Sequence, residues 1–78
     1  MRIPPGRFVE WEKHDDIEQF VRIESGRALV EVEHSRYTEE LRLSEDDAFI
    51  IPPGKWHQIT NSGRRALHLY TIYTPPEH

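Results

Sequence analysis

Cysteine is absent from the 78 residues, which excludes disulfides, thiolate metal sites and a cysteine nucleophile. Long apolar runs are missing too. Nothing approaches the ~18 residues of a helical membrane span, and no signal-peptide pattern is visible. The expectation is a cytoplasmic protein without a membrane partner. Glycine is sparse, with four scattered residues, so no glycine-rich loop is available to cradle a phosphate. A basic excess is lacking as well: 14 acidic residues face 10 basic ones, for a formal net charge of −4. Nucleic-acid binding calls for a basic field. Arg64-Arg65 reads as an isolated pair in a turn, so no nucleic-acid partner is expected. The serines fall in turns or links with no His–carboxylate arrangement beside them, which leaves nucleophilic catalysis little support.

What the chain does contain is short β-patterned segments broken by turn residues. Residues 7–13 alternate, with Phe8, Glu10 and Glu12 on one face and Val9, Trp11 and Lys13 on the other. An acidic turn at 14–17 leads to a strand at 18–24, and Ser25-Gly26 turns the chain into a strand at 28–33. Further strands are expected at 37–43, 48–51, 56–60 and 66–73. The run Ala48-Phe49-Ile50-Ile51 is continuously apolar, as for a strand covered on both faces. Pro52-Pro53-Gly54 breaks it, and Pro75-Pro76 ends the last strand. No helix of useful length is predicted. Ser25-Gly26-Arg27 and Ser62-Gly63-Arg64 look alike, which two hairpins using the same turn chemistry explain better than a true repeat.

The stretch Pro52-Pro53-Gly54-Lys55-Trp56-His57-Gln58-Ile59-Thr60-Asn61 places a His where a strand starts beside a tight turn. That position holds an imidazole rigidly, as a metal ligand requires. The stretch resembles the second motif of the cupin superfamily, P-x-G-x-x-H-x-x-x-N, with Asp46 standing where that motif has its leading Gly. The first cupin motif pairs two His, separated by one residue, with a following Glu between two flanking glycines. Here Gly6 and Gly26 match the glycines and His14 the second His, while Glu12 stands for the first His and Gln19 for the Glu. The run from His14 to Glu24, with Leu69-Tyr70-Thr71-Ile72-Tyr73 and the closing Pro75-Pro76-Glu77-His78, is similar to a subgroup of small single-domain cupins.

The resemblance implies an all-β fold, a cupin jelly roll or small antiparallel β-barrel reduced in strand number, with residues 1–78 as one domain. It implies a divalent transition metal (Fe, Mn, Ni, Cu or Zn) held by His57, His14, Gln19 and Glu12. Glu12 and His14 are one residue apart, so a strand would point both to one face. A carboxylate binds such metals as well as an imidazole does; the Gln19 amide is a weaker, neutral donor. Glu18 is the alternative to Gln19, since a register slip of one would exchange them. Val21, Ile23, Phe49, Ile51 and Trp56 are candidate pocket walls, and Tyr70 or Tyr73 could offer a hydroxyl, although core packing is the more ordinary role for each. His34 and His78 read as surface residues, His68 as an outward strand residue, and Arg22 as paired with a carboxylate on the outer face or at a dimer contact.

A domain this small buries only roughly 60% of its unfolded surface, so a metal or an oligomer interface is needed for stability. Exposed strand edges lead us to expect a homodimer. The functional readings are a metal-dependent enzyme on a small organic molecule, dioxygenase- or isomerase-like; a metal-containing binding module without turnover; and a vacant-site dimeric scaffold.

Overall fold

The computed structural model describes residues 1–74. Alternating side chains build eight antiparallel strands: β1 (Arg2–Ile3), β2 (Phe8–Glu12), β3 (Glu18–Ser25), β4 (Arg27–Glu33), β5 (Thr38–Ser44), β6 (Ala48–Ile51), β7 (His57–Asn61) and β8 (Leu67–Thr74). They form two four-stranded sheets, ordered β1-β8-β3-β6 (sheet I) and β2-β7-β4-β5 (sheet II). Sequence neighbours alternate between the sheets except for the β4–β5 hairpin, which is the topology of a jelly roll. The all-β expectation therefore holds, and the described residues contain no helix.

The inward faces follow the period of two. Val21 and Ile23 of β3, Ile51 of β6 and Leu67 and Leu69 of β8 meet Ala28, Val30 and Val32 of β4 and Ile59 of β7 in one buried cluster. Full burial of each Val, Leu or Ile contributes about 1.5–3 kcal/mol, so this cluster is the main stabilising element of the domain.

Three expectations are corrected. The two-residue strand β1 was not anticipated, because two residues ahead of Pro4-Pro5 carry no readable periodicity; it pairs with β8 through Ile3 and Leu67. Strand β6 is an edge strand with one covered face: Ile51 is buried whereas Ile50 is 55% exposed. A continuous apolar run does not distinguish a doubly covered strand from a single-faced one with apolar outer residues. In β2 the simple alternation fails. Val9 pairs with Ile59 and Glu12 with His57, so β2 carries one residue more than β7 between these pairs. That bulge turns Glu12 to the face of Val9, and away from the exposed Phe8 and Glu10. Strand β3 has a second bulge between Ile23 and Ser25. The expectations for Pro75-Pro76 and His78 lie outside the described residues.

The turns carry a shared backbone signature. Gly6, Gly26 and Gly54 have φ of 75°, 97° and 77°, and Asp46 has 73°. These four positions are those of the motif glycines, so Asp46 adopts the left-handed conformation in a glycine's place. It sits third in the turn Ser44-Glu45-Asp46-Asp47, closed by Asp47 N–H donating to the Ser44 carbonyl at 3.0 Å, the position where such turns demand positive φ. Asp tolerates this region better than most residues, and the Asp46 carboxylate also accepts from the Arg22 guanidinium at 2.8 Å. Arg22 thus pairs with a carboxylate on the outer face.

Replacing Asp46 by Ala should destabilise the domain relative to Asp46→Gly by about 1 kcal/mol, the cost of a Cβ in left-handed backbone. Urea denaturation of the two variants reads the difference directly. Equal midpoints would show that the turn relaxes to another conformation.

Candidate metal centre

Three polar side chains, Glu12, His14 and His57, meet at the end of the roll formed by the β2–β3 and β6–β7 loops. Glu12 and His57 are cross-strand partners at the end of the β2–β7 ladder. His14 lies just beyond β2, and Gly54 N–H, in the Pro-Pro-Gly turn, donates to its carbonyl at 2.8 Å. This bond ties the two motif segments together. One donor atom each from Glu12, His14 and His57 lies within 4.8 Å of the others. Glu12 Oε2 stands 3.5 Å from His14 Nε2, and the two imidazole centroids are 5.9 Å apart.

Gln19 enters from the other sheet. It is 4% exposed, on the inward face of β3 between Ile51 of β6 and Tyr73 of β8. Glu18 falls on the opposite face, half-buried and paired with Thr74. Alternation has therefore directed Gln19, not Glu18, toward the interior. Tyr73 meets the His14 ring edge-on at 5.4 Å. Trp56 stays 45% exposed at the rim, with Lys13 Nζ 5.7 Å from its ring centroid. Val21, Ile23 and Ile51 belong to the core, and Tyr70 packs near Phe20 at 6.5 Å on the outer face of sheet I. His34 is half-buried, against Glu39 at 3.1 Å and stacked on Tyr37 at 4.7 Å; His68 is exposed.

The donors suit a divalent metal. Two buried side-chain atoms, His14 Nε2 and Gln19 Oε1, have no hydrogen-bond partner. Leaving such atoms unpaired costs about 1–3 kcal/mol each. His57 Nδ1 faces the Lys55 carbonyl at 3.3 Å. A carbonyl only accepts, so the proton belongs on Nδ1 and Nε2 is left free, the arrangement that orients imidazole ligands. The Lys55 carbonyl and the Gly54–His14 bond are parts of the site that residue types alone do not disclose; their only trace in the sequence is the Pro-Pro-Gly turn.

Burial is the largest influence on His57 and pushes its imidazole below the ordinary value. The Lys55 carbonyl and the Glu12 carboxylate oppose that shift, and His14 adds to it. In the unfolded chain the same ring titrates near ~6.5. As the pH falls below that point the unfolded state takes up a proton that the native state resists, so stability declines. The metal-free protein should lose thermal stability as the pH falls below about 6.5, and His57→Gln should show a shallower decline. Parallel curves for the two proteins would show that His57 does not carry this dependence.

Comparison with known proteins places this geometry in a family. The Cupin_2 family, described as Cupin domain, matches residues 1–73. YrkC of Bacillus subtilis (strain 168) is 36% identical over 80 residues, covering 100% of this chain and 43% of YrkC. The crystal structure of BH2720 from Bacillus halodurans aligns with a TM-score of 0.85 at 41% identity, over 100% of this chain and 61% of that one. The chain thus spans about half the length of these relatives. Two further structures share the fold alone. A predicted oxalate decarboxylase from Thermotoga maritima has a TM-score of 0.86 at 21% identity, over 97% of this chain and 63% of that one. Drosophila melanogaster CENP-C bound to CAL1 has 0.90 at 18%, over 95% and 61%. The match over nearly the whole chain, joined to the jelly-roll topology, establishes that this chain belongs to the cupin family.

Proposed function

We propose that this domain holds a divalent transition metal through His57, His14, Glu12 and Gln19, and binds or transforms a small organic molecule there. The observation that carries this reading is the pair of unpartnered buried atoms, His14 Nε2 and Gln19 Oε1, beside the Glu12–His14–His57 group. A metal with open positions supplies Lewis acidity or, for a redox-active ion, electron transfer, which fits an isomerase-like or a dioxygenase-like reaction. The chain's own groups have definable tasks. His57, kept neutral by burial, offers a lone pair at neutral pH. The Glu12 carboxylate supplies the one negative charge of the set and is half-exposed, so it can release its contact and take up a proton. Tyr73 and Trp56 present aromatic surface at the mouth for a planar substrate.

A binding module without turnover is the second reading. The neutral amide at Gln19 and the partial exposure of Glu12 and His14 favour it, because both weaken hold on the metal. The fold does not choose between them. Turnover of catechol-like or sugar substrates by the loaded protein separates the two.

Elemental analysis of untagged protein tests the metal directly, with near-stoichiometric Fe, Mn, Ni, Cu or Zn expected. His57→Ala should abolish retention, and Glu12→Ala should weaken it less. Equal metal content in His57→Ala and the parent would sink the assignment.

We also propose a homodimer built on the outer face of sheet I. Ile72, Phe20 and Ile50 are in register across β8, β3 and β6, with Ile72 50% and Ile50 55% exposed. An apolar row of this kind beside an unguarded edge strand favours association. Light scattering should give twice the chain mass, and Ile50→Glu with Ile72→Glu should give a monomer. A parent protein that is monomeric at high concentration would refute this.

A further inference from the structure

The two Ser-Gly-Arg turns that look alike in the sequence meet at the pole opposite His57. One joins β3 to β4 and the other follows β7, and Ser62 N–H donates to the Arg27 carbonyl at 3.1 Å. Glycine permits the approach: a Cβ on Gly26 would stand 3.0 Å from the Ala66 carbonyl oxygen. With the β5–β6 turn they border an open cleft of about 700 Å³ lined by Arg27, Arg64, Arg65, Ser44, Ser62 and Glu45. An adjoining lobe of about 340 Å³ shares Arg27, Ser44 and Ser62 and adds Arg42. Arg64-Arg65 is therefore not an isolated pair; the fold brings Arg27 to it, and Arg42 lines the adjoining lobe.

We propose that this cleft binds a small phosphate-bearing molecule. Guanidinium groups match phosphate oxygens with paired N–H donors, and the serine hydroxyls add further donors. Among the described residues, the ion pairs engage Lys13 and Arg22, with His14 and His34 lying beside Glu12 and Glu39, and none engages Arg27, Arg42, Arg64 or Arg65. Their charge is thus available to a ligand, and Glu45 is a single opposing carboxylate, suited to accept from a hydroxyl of the ligand body. The volume falls within the roughly 300–1,000 Å³ of small-molecule sites, which exceeds the needs of a lone anion. The turn bearing Arg64 and Arg65 is fixed from below: the buried Asn61 amide donates to the Arg65 carbonyl at 2.8 Å and its carbonyl accepts from Gly63 N–H at 2.9 Å. An acidic chain repels long polyanions, which favours a small ligand over a nucleic acid.

The test is a titration of the whole chain with ribose 5-phosphate, inorganic phosphate and, as neutral control, ribose, at constant ionic strength, followed by amide NMR. Saturable shifts are expected at Gly26, Ser44, Ser62 and Gly63 with the two phosphates and not with ribose. Arg27→Gln combined with Arg64→Gln should weaken binding by about tenfold or more, with the thermal midpoint unchanged because both side chains are exposed. Arg65→Lys, which keeps charge but loses the planar fork, should weaken it less. Scattered unsaturable shifts, shifts centred on His14 and His57, or a double variant that binds like the parent would each overturn the proposal.

Discussion

The buried side chain of Asn61 is the tie on which both ends of this small jelly roll depend. Its amide donates to the carbonyls of Ile3 and Arg65, each at 2.8 Å, and its carbonyl accepts from Gly63. Ile3 belongs to sheet I and Asn61 to sheet II. One amide therefore joins the sheets where the first strand is only two residues long. The bond to the Ile3 carbonyl is buried and the other two are partly so, and a buried group left unpaired would carry its desolvation cost. The same five-residue strand, alternating inward at His57, Ile59 and Asn61, presents the imidazole at its other end. Anchoring Asn61 fixes the register of β7, and that register decides which β2 residue stands opposite His57.

How much of this was legible in the sequence follows from what kind of constraint each residue answers to. The position of His57 was readable because a proline-glycine break followed by an apolar-alternating strand has few solutions. Gln19 was readable for the same reason: period-two alternation with Val21 and Ile23 sends all of them inward. Glu12 was placed with the wrong neighbours, since a single extra residue in β2 inverts the alternation and leaves no mark on residue types. The exposure of Ile50 was hidden too, because β6 owes its open face to its place at the sheet edge, which pairing partners far along the chain decide. The Arg cleft was out of reach altogether; its residues are spread from Arg27 to Arg65, and only the meeting of two turns assembles them.

Motif glycines and motif ligands turn out to record different physics. Positions 6, 26, 46 and 54 share left-handed backbone, and three of them are glycine. Asp46 shows that the conformation, not the residue, is what the fold needs there. The motif's ligand positions are freer, since Glu12 and Gln19 stand there without the residue types of the family pattern. Backbone conformations are set by the whole topology and tolerate little change, whereas a donor set tolerates exchange of one nitrogen or oxygen for another with a cost confined to metal affinity. That is why the family can be read from this chain with more certainty than its chemistry.

The proposed metal centre and the proposed anion receptor need opposite surroundings, and the residues at the two poles of the roll differ in that sense. At the His57 pole the donor must be neutral to lend its lone pair, and burial secures this by penalising the imidazolium. At the Arg27–Arg64 pole the charge must persist, and the guanidinium is the side chain whose charge is permanent. The apolar cluster from Ile3 to Leu69 separates the arginines of one pole from the donor group of the other. If both proposals stand, a phosphorylated ligand would be held away from the metal, not across it. The cleft would then serve occupancy or regulation of the domain, and the organic substrate at the metal would be a separate molecule.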